Sequence, residues 1–292
     1  MKLSIVIVNW NTKRQLKWCL NYIHQRTKNL LYEIFVVDNA SEDGSDKMVE
    51  ENYPEVKLIK NSSNLGFARA NNQAIKRAGG EYILLLNSDT KILDEALNKM
   101  VQCMDENKNC GVLGCKLLNP DGTLQPSCRR FPTIKDQVII LLKLHNLFTN
   151  LAAIRSYYML DWKHDKERKV DQVMGACFMV RKKVIDEVGM LDERYFIWFE
   201  EVDFCKRVKM AGYEVFFMPD AEVIHEKAAS FNQIMTLKKQ MLMNNSMLRY
   251  FKKHHPLWEY IIIMILYPFS LFLSLAVQIL TIFKPIKKNK SL

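Results

Sequence analysis

The sequence lacks the cysteine spacing that marks a zinc site or a disulfide framework. Seven cysteines occur in 292 residues, but no two form a Cys-x-x-Cys pair and the total is odd. We therefore expect neither a structural zinc ion nor a set of disulfide bonds. Cys177, for example, lies in an apolar run, where a reduced thiol packs as a small hydrophobic side chain.

The sequence also lacks a basic block with interleaved aromatic residues, so we expect no nucleic-acid partner. The net charge is nevertheless +10, which favours an anionic partner of another kind. Diphosphate substrates and a membrane surface with anionic lipids fit this charge. Internal repeats and low-complexity tracts are absent from the sequence as well.

A third absence concerns the first residues, which contain no apolar run long enough for a signal peptide. Asn9 interrupts the apolar stretch that begins at Leu3. This stretch predicts a buried first strand, and we expect the folded domain to stay in the cytoplasm.

Short β-branched runs alternate with segments of helical periodicity over roughly the first 115 residues, which is typical of an α/β fold with a mostly parallel central sheet. The predicted strands are Leu3–Val8, Ile34–Val37, Val56–Ile59, Tyr82–Leu86 and Val112–Cys115. Three of them end in polar residues, namely Asn9-Trp10-Asn11, Asp38-Asn39-Ala40-Ser41 and Asn87-Ser88-Asp89. Ligands bind at the carboxyl ends of the strands in such sheets, so these three ends are predicted to form one site.

The middle of the chain, residues 126–170, loses clear periodicity and is interpreted as a variable insertion. Regular structure is predicted to return at Val173–Val180. Two helices follow, Lys182–Val188 before Gly189 and Glu201–Ala211 before Gly212. Two short strands are predicted after them, at Val215–Met218 and Glu222–Ile224.

The C-terminal part changes character, because Tyr260–Phe283 contains no charged side chain. As a helix this stretch would be about 36 Å long, enough to cross a hydrocarbon core of about 30 Å. We therefore divide the chain into a catalytic domain (1–256), a membrane segment (257–283) and a basic tail (284–292). Pro268 could instead kink the segment into a re-entrant hairpin, and lysines on both sides leave the two topologies open.

Two carboxylate motifs carry the chemistry. Leu84–Thr90 is an apolar strand that ends in a polar turn with Asp89, a natural ligand for a divalent metal on a diphosphate. Trp198–Asp203 places adjacent carboxylates after aromatic residues, which suits a general base beside an apolar sugar pocket.

These motifs, taken in order over roughly residues 3–250, resemble the family 2 glycosyltransferases. The resemblance implies the GT-A fold, which binds nucleotide sugars, and inverting transfer of a sugar from a nucleotide-diphosphate donor with Mn²⁺ or Mg²⁺ as cofactor. It implies Asp89 and His225 as metal ligands and Glu201 as the catalytic base, with Glu200 and Asp203 orienting the base or the acceptor. It also implies a set of substrate-binding residues: Asn9, Asp38, Asn39, Arg69, Asn71, Asn87 and Trp198.

Two positions depart from the family pattern, since Asn87 and Glu201 stand where Asp is more common. Asn87 is familiar among the rhamnosyltransferase-like members, which build bacterial surface polysaccharide, often on a lipid-linked acceptor. The resemblance therefore implies a nucleotide-sugar donor, a glycan or lipid-linked acceptor, membrane lipids as partners, and a place at the cell membrane. The alternative is a non-catalytic, membrane-tethered scaffold that binds nucleotide sugars.

Overall fold

The computed structural model describes residues 1–148, 150–226 and 236–282, so the predicted basic tail (284–292) lies outside the described residues. The strands are β1 (Leu3–Asn9), β2 (Tyr32–Asp38), β3 (Lys57–Lys60), β4 (Tyr82–Asn87), β5 (Thr90–Ile92), β6 (Cys110–Leu118), β7 (Leu124–Gln125), β8 (Cys128–Arg129), β9 (Arg168–Val170), β10 (Gln172–Val173), β11 (Cys177–Arg181) and β12 (Glu214–His225). The helices are α1 (Lys13–Arg26), α2 (Ser45–Asn52), α3 (Phe67–Ile75), α4 (Ala96–Glu106), α5 (Ile134–Leu141), α6 (Leu144–Leu147), α7 (Ala152–Tyr157), α8 (Lys182–Val188), α9 (Glu200–Met210), α10 (Thr236–His254) and α11 (Leu257–Ile282).

One large sheet organises the chain, with the order β3-β2-β1-β4-β11-β6-β12-β5 among the described strands. The first four are parallel, β11 runs antiparallel between β4 and β6, and β12 is again parallel to β6. The predicted α/β class with a mostly parallel central sheet is thus confirmed. The sheet is buried on both faces, by two separate apolar clusters, because helices cover each side.

The strand register places the polar residues at one edge of the sheet. Asn9 pairs with Asp38, and Val8 pairs with Asn87, so the ends of β1, β2 and β4 coincide. The antiparallel β11 begins beside this edge, where the Asn87 N–H donates to the Ala176 carbonyl oxygen over 3.0 Å. The expected convergence of three strand ends is therefore present.

Two predicted features differ in the structure. The short strands predicted at Val215–Met218 and Glu222–Ile224 are one strand, β12, whose pairing with β6 shifts register between Met218 and Glu222. A bulge keeps the hydrogen bonds on both sides of the polar residues that had suggested a break. Residues 126–170 contain short elements, of which α5 begins with a capping box between Thr133 and Asp136.

Helices α10 and α11 pack against one another beside the sheet, and α11 also packs on α5. A third apolar cluster lies there and joins the start of α9 to α5, α10 and α11. Helix α11 continues through Pro268, so the described residues contain no turn of the kind a re-entrant hairpin requires. Packing explains this continuity. Tyr267, just before Pro268, donates a hydrogen bond to Asn245 of α10, and Ser270, just after it, is fully buried.

All seven cysteines are free and buried, as the sequence predicts.

Candidate active site

A cavity of about 490 Å³ opens at the sheet edge where β1, β2 and β4 end. This volume is typical of small-molecule sites, which are commonly about 300–1,000 Å³. Its polar lining comes from strand ends and from the first turn of α9, and comprises Asn39, Asn64, Asn87, Ser88, Asp89, Glu200, Glu201 and His225. The aromatic side chains of Trp10, Phe67, Phe196 and Trp198 line the same cavity, together with Lys239 of α10.

Behind the cavity, a buried hydrogen-bond network fixes the ends of β1 and β2. The Asn9 amide donates to Asp38 Oδ1 over 3.1 Å, and the Ser41 N–H donates to Asp38 Oδ2 over 2.9 Å. The Thr12 hydroxyl donates to Asn9 Oδ1 over 2.6 Å. Asn9 and Asp38, predicted to bind substrate, therefore lie next to the lining and outside it, where they hold Asn39 and its loop in place.

The Asp89 carboxylate and the His225 imidazole face each other across 3.3 Å. They meet because the end of β12 pairs antiparallel with β5, so that His225 stands opposite Thr90. The Asn87 amide nitrogen lies 3.2 Å from His225 Nε2. Asp89 and His225, the two residues predicted to hold the metal, therefore lie together with Asn87, the neutral residue of the turn that contains Asp89.

Gln125 fixes the orientation of the His225 ring. Its amide N–H groups donate to the His225 carbonyl oxygen over 3.1 Å and to Asn119 Oδ1 over 3.0 Å, so its Oε1 must face His225 Nδ1, at 2.7 Å. An oxygen accepts there, so Nδ1 donates to Gln125, and Nε2 is the ring nitrogen that faces the Asn87 amide nitrogen and the Asp89 carboxylate.

A ring nitrogen held in this orientation and a carboxylate oxygen are both ligands that Mn²⁺ and related divalent metals accept, so this pair fits a divalent metal. Their separation of 3.3 Å is also compatible with neighbouring ligands of an octahedral ion, which lie about 3.0 Å apart. No cluster of three or more His, Cys, Asp or Glu side chains suited to a metal occurs within the described ranges. A metal held here would take its remaining ligands from substrate oxygens and water, as Mg²⁺ and Mn²⁺ commonly do.

Glu200 and Glu201 enter the cavity from the first turn of α9. The two preceding residues, Trp198 and Phe199, both adopt the left-handed backbone region, with φ of 62° and 69°. Such conformations are costly for bulky residues and concentrate at functional sites. Here they turn the chain sharply so that two adjacent carboxyl groups begin a helix at the cavity wall.

Both carboxyl groups have an oxygen that is buried and has no hydrogen-bond partner in the part of the chain that the structure describes. Burial, and then the charge of Glu201, raises the pKa of Glu200 well above its ordinary value. Burial also raises the pKa of Glu201, although the charge of Arg129 opposes this effect. A raised pKa makes the Glu201 carboxylate a better proton acceptor than an exposed glutamate.

Asp203 lies on the opposite side of α9 from Glu201 and does not line the cavity. It is fully buried and accepts hydrogen bonds from Arg207, Lys253 and His254 at 2.6–2.9 Å. In the structure Asp203, predicted to orient the base or the acceptor, joins α9 to α10. The physical reason is that side chains two apart on a helix point in nearly opposite directions.

Arg69 and Asn71 also lie outside the cavity. Arg69 is exposed and pairs with Glu193 at 3.3 Å, beside a separate surface depression. Asn71 is buried within α3, where its amide donates to the Phe67 carbonyl oxygen over 2.9 Å. The structure therefore places the helix that follows Gly66 beside the site without bringing these two side chains into it.

Gly66 and Gly175 bring backbone close to this cavity. At Gly66, where φ is +83°, a Cβ would lie 2.4 Å from the Phe196 carbonyl oxygen, so the close approach requires glycine. At Gly175, a Cβ would stand between Phe67, at 3.8 Å, and Glu201, at 4.0 Å. The close approach therefore requires glycine at position 66, whereas a Cβ at position 175 would make only ordinary van der Waals contacts with Phe67 and Glu201.

Sequence reasoning missed Gln125, Arg129 and Lys239. Gln125 belongs to a two-residue strand inside the aperiodic segment and gives no local signal. Arg129 lies in the same aperiodic segment, and Lys239 lies in a basic stretch of α10.

A mostly parallel sheet of this order, with carboxylates, a histidine and aromatic side chains around a cavity at its strand ends, defines a nucleotide-sugar transferase of the GT-A class. Residues 4–189 match the sequence model of Glycosyl transferase family 2, which is more than half of the chain. The protein therefore belongs to glycosyltransferase family 2, and the resemblance seen in its motifs is confirmed.

Relatives and solved structures agree with this assignment. The chain is 28% identical over 211 residues to the N-acetylglucosaminyl-diphospho-decaprenol L-rhamnosyltransferase of Mycobacterium tuberculosis, covering 68% of this chain and 67% of that protein. It is 24% identical over 169 residues to the rhamnosyltransferase WbbL of Escherichia coli K12, covering 55% and 60% of the two chains. The mannosyltransferase PcManGT from Pyrobaculum calidifontis, solved with GDP-Man and Mn²⁺, superposes with a TM-score of 0.59 at 14% identity, over 98% of this chain and 76% of that one, and supports the fold.

Proposed function

We propose that the protein is a metal-dependent, inverting hexosyltransferase that moves a sugar, with rhamnose the first candidate, from a nucleotide-diphosphate donor to a lipid-linked glycan acceptor at the cytoplasmic side of the cell membrane. One observation carries the proposal. The Glu201 carboxylate and the Asp89–His225 pair line a single cavity at the strand ends, together with an aromatic wall.

The proposed reaction is a single displacement. Glu201 takes the proton of an acceptor hydroxyl, whose oxygen attacks the anomeric carbon of the donor sugar. The bond from that carbon to the diphosphate oxygen breaks, and its electron pair leaves with the nucleoside diphosphate. Attack from the face opposite the leaving group inverts the configuration, as one base and one step require.

Asp89 and His225 would hold Mn²⁺ or Mg²⁺, which would neutralise the negative charge of the departing diphosphate. Asn87, whose amide is neutral, would assist by contact with the ribose or an ordered water. Asn39 and Asn64, joined by a hydrogen bond of 2.9 Å, would take the nucleoside part of the donor. Lys239 adds a cation at the cavity wall, on the side of α10.

The relatives support the acceptor class. The mycobacterial rhamnosyltransferase is named for a diphospho-decaprenol substrate, and the apolar helix α11 of this chain is long enough to associate with lipid. Trp198 and the neighbouring aromatic side chains would form the apolar wall against a sugar ring.

The experiment is a screen of the purified protein against nucleotide sugars, with released nucleoside diphosphate as the readout, with and without Mn²⁺. We expect one donor to be turned over, faster when a lipid-linked glycan acceptor is present and not at all in excess chelator. Donor binding without turnover in every combination would favour the scaffold. Full activity in chelator would contradict the role of Asp89 and His225.

A further inference from the structure

Helix α11 has an inner face that is seated on the protein. Ile263, Ser270 and Ser274 are almost fully buried, at 1%, 0% and 2% exposure. Tyr267 donates a hydrogen bond to Asn245 of α10 over 3.0 Å, and Ser274 donates to Gln240 of α10 over 3.2 Å. These contacts recur every three or four residues, so one stripe of α11 faces α10 over about three turns.

The opposite face of α11 is apolar and exposed. Its members are Leu257, Trp258, Ile261, Met264, Ile265, Phe269, Phe272 and Leu275, with exposures between 38% and 70%. We call this set the outer stripe. The spacing of three and four residues keeps the whole stripe on one side of the helix, away from α10. No charged side chain interrupts it after Glu259.

Helix α10 determines how α11 can meet a bilayer. The contacts at Ile263, Tyr267 and Ser274 fall within Leu257–Ala276, the part that is long and apolar enough to cross a membrane. The helix beside it, α10, contains five lysine and arginine residues and no acidic one. If α11 crossed the hydrocarbon core while docked in this way, it would carry these charges in with it, which is strongly unfavourable.

We infer that α11 is an in-plane membrane helix, which places its outer stripe at the boundary between headgroups and acyl chains of one leaflet while its inner face stays on α10. A long helix with one exposed apolar face and an opposite face that hydrogen-bonds to the protein has the form of an interfacial helix. The topology differs from both alternatives left open by the sequence, a span and a re-entrant hairpin.

Charge identifies the occupant as an anionic lipid surface. Helix α10, which packs on α11, contributes Lys238, Arg249 and Lys252, and none of these three forms an ion pair with a described acidic side chain. Anionic headgroups complement these charges. A second copy of this chain would bring the same positive charges together, and the whole chain already has a net charge of +10.

The in-plane orientation of α11 also places the membrane surface close to the cavity. Lys239 lines the cavity, and its neighbour in sequence, Gln240, accepts the hydrogen bond from Ser274. One turn of α10 therefore touches both the cavity and the membrane helix. If the proposed function holds, a lipid-linked acceptor would reach the cavity from the leaflet without leaving the membrane plane; lipid binding itself does not depend on that function.

The test is a depth measurement in vesicles of phosphatidylcholine and phosphatidylglycerol, without any sugar. An environment-sensitive fluorophore is attached to Ile261→Cys, Ile265→Cys or Phe272→Cys of the full chain, and its depth is found with lipid quenchers at known positions. The native cysteines are buried and leave the introduced thiol as the reactive one. An in-plane helix gives one shallow depth at all three positions.

A spanning helix gives a different result, because positions 261 and 272 would differ in depth by about 16 Å along the axis. A graded depth over the three positions would overturn the inference. Met210→Cys serves as the control, because Met210 is 73% exposed at the end of α9, away from α11, and a fluorophore there should not be quenched by lipid.

A second measurement keeps the inference testable if labelling disturbs folding. The combined change Ile265→Gln, Phe269→Gln and Phe272→Gln should reduce sedimentation with anionic vesicles by about tenfold or more while donor binding stays unchanged. The control Leu31→Gln with Met210→Gln alters two side chains that are as exposed but lie elsewhere, at 74% and 73%. An equal loss of vesicle sedimentation in the control and in the triple variant would overturn the proposal. So would a protein that dimerises through the outer stripe and does not sediment with vesicles.

Discussion

The Asp203→Asn substitution should strongly destabilise the protein, because Asp203 is the buried anion that joins α9 to α10. Its carboxylate is 0% exposed and accepts from Lys253 Nζ at 2.6 Å, His254 Nε2 at 2.7 Å and Arg207 Nε at 2.9 Å. An asparagine of the same shape removes the charge and turns an N–H group towards one or more of these cations.

Breaking a buried ion pair by neutralising one partner costs about 3–5 kcal/mol. For a chain of this size, 1 kcal/mol corresponds to about 2 °C in melting temperature, so we expect a decrease of about 6–10 °C. The assay is thermal unfolding followed by tryptophan fluorescence in one detergent. Asp186→Asn is the matched control, since Asp186 is exposed on α8, and it should change the free energy of unfolding by less than about 0.5 kcal/mol.

The pH dependence of this difference has a defined sign. Burial alone would raise the pKa of Asp203, but the hydrogen bonds from His254 and Lys253 and the charge of Arg207 outweigh burial and lower it. The stabilisation is therefore present above the pKa of about 3.9 of an unfolded aspartate, and it is lost as the pH falls through the lower value of the folded state. If Asp203→Asn lowers the melting temperature at pH 7 by no more than Asp186→Asn does, Asp203 does not join α9 to α10 in the way described.

Four further outcomes follow from the site. Glu201→Gln cannot accept the acceptor proton, so turnover should fall by about 10²-fold or more while donor affinity, measured by calorimetry, persists; near-normal turnover would show that another group is the base. Asp89→Ala should abolish transfer and weaken donor binding in the presence of Mn²⁺, and a donor affinity equal to that of the wild type would contradict it. Gln125→Leu frees the His225 imidazole to change its tautomer, so Mn²⁺ affinity measured by electron paramagnetic resonance should fall by about 10–100-fold; unchanged affinity would remove Gln125 from this role. Glu200→Gln should raise the melting temperature, and its advantage should grow as the pH rises above about 4.3, because the raised pKa of Glu200 makes its ionised form costly in the fold; a pH-independent difference would contradict this.

The sequence was sufficient for the parts of the site that depend on strand ends. Apolar runs end at Asn9, Asp38 and Asn87, and a parallel register necessarily brings such ends to one edge. The helical period carries a further signal. Glu201 and Asp203 are two residues apart, which places them about 200° apart around a helix, so both could not face one cavity.

Other features depend on contacts between segments far apart in the chain. Gln125 meets His225 only because β7 pairs with β6 and β6 pairs with β12, which no local pattern around residue 125 predicts. The same limit applies to the C-terminal helix. Hydropathy identifies an apolar segment, but the inner face of α11 is defined by Asn245 and Gln240 of another helix.

The geometry of Glu200 and Glu201 is costly, and contacts with α10 explain how the fold sustains it. Two consecutive left-handed residues before α9 each cost on the order of 1–3 kcal/mol, and the buried Glu200 and Glu201 add a desolvation cost. On the other side of the helix, Lys253 of α10 pairs with Asp203, and the Tyr250 ring of α10 packs on the Phe199 ring with 5.5 Å between the ring centroids. The Ser246 hydroxyl of α10 also donates to the Ile197 carbonyl oxygen over 2.8 Å. These contacts hold the strained turn from outside the cavity, so the carboxyl groups can face the cavity without needing a partner there. Helix α11 also packs on α10. Helix α10, which holds the proposed base in place, would therefore also lie next to the membrane.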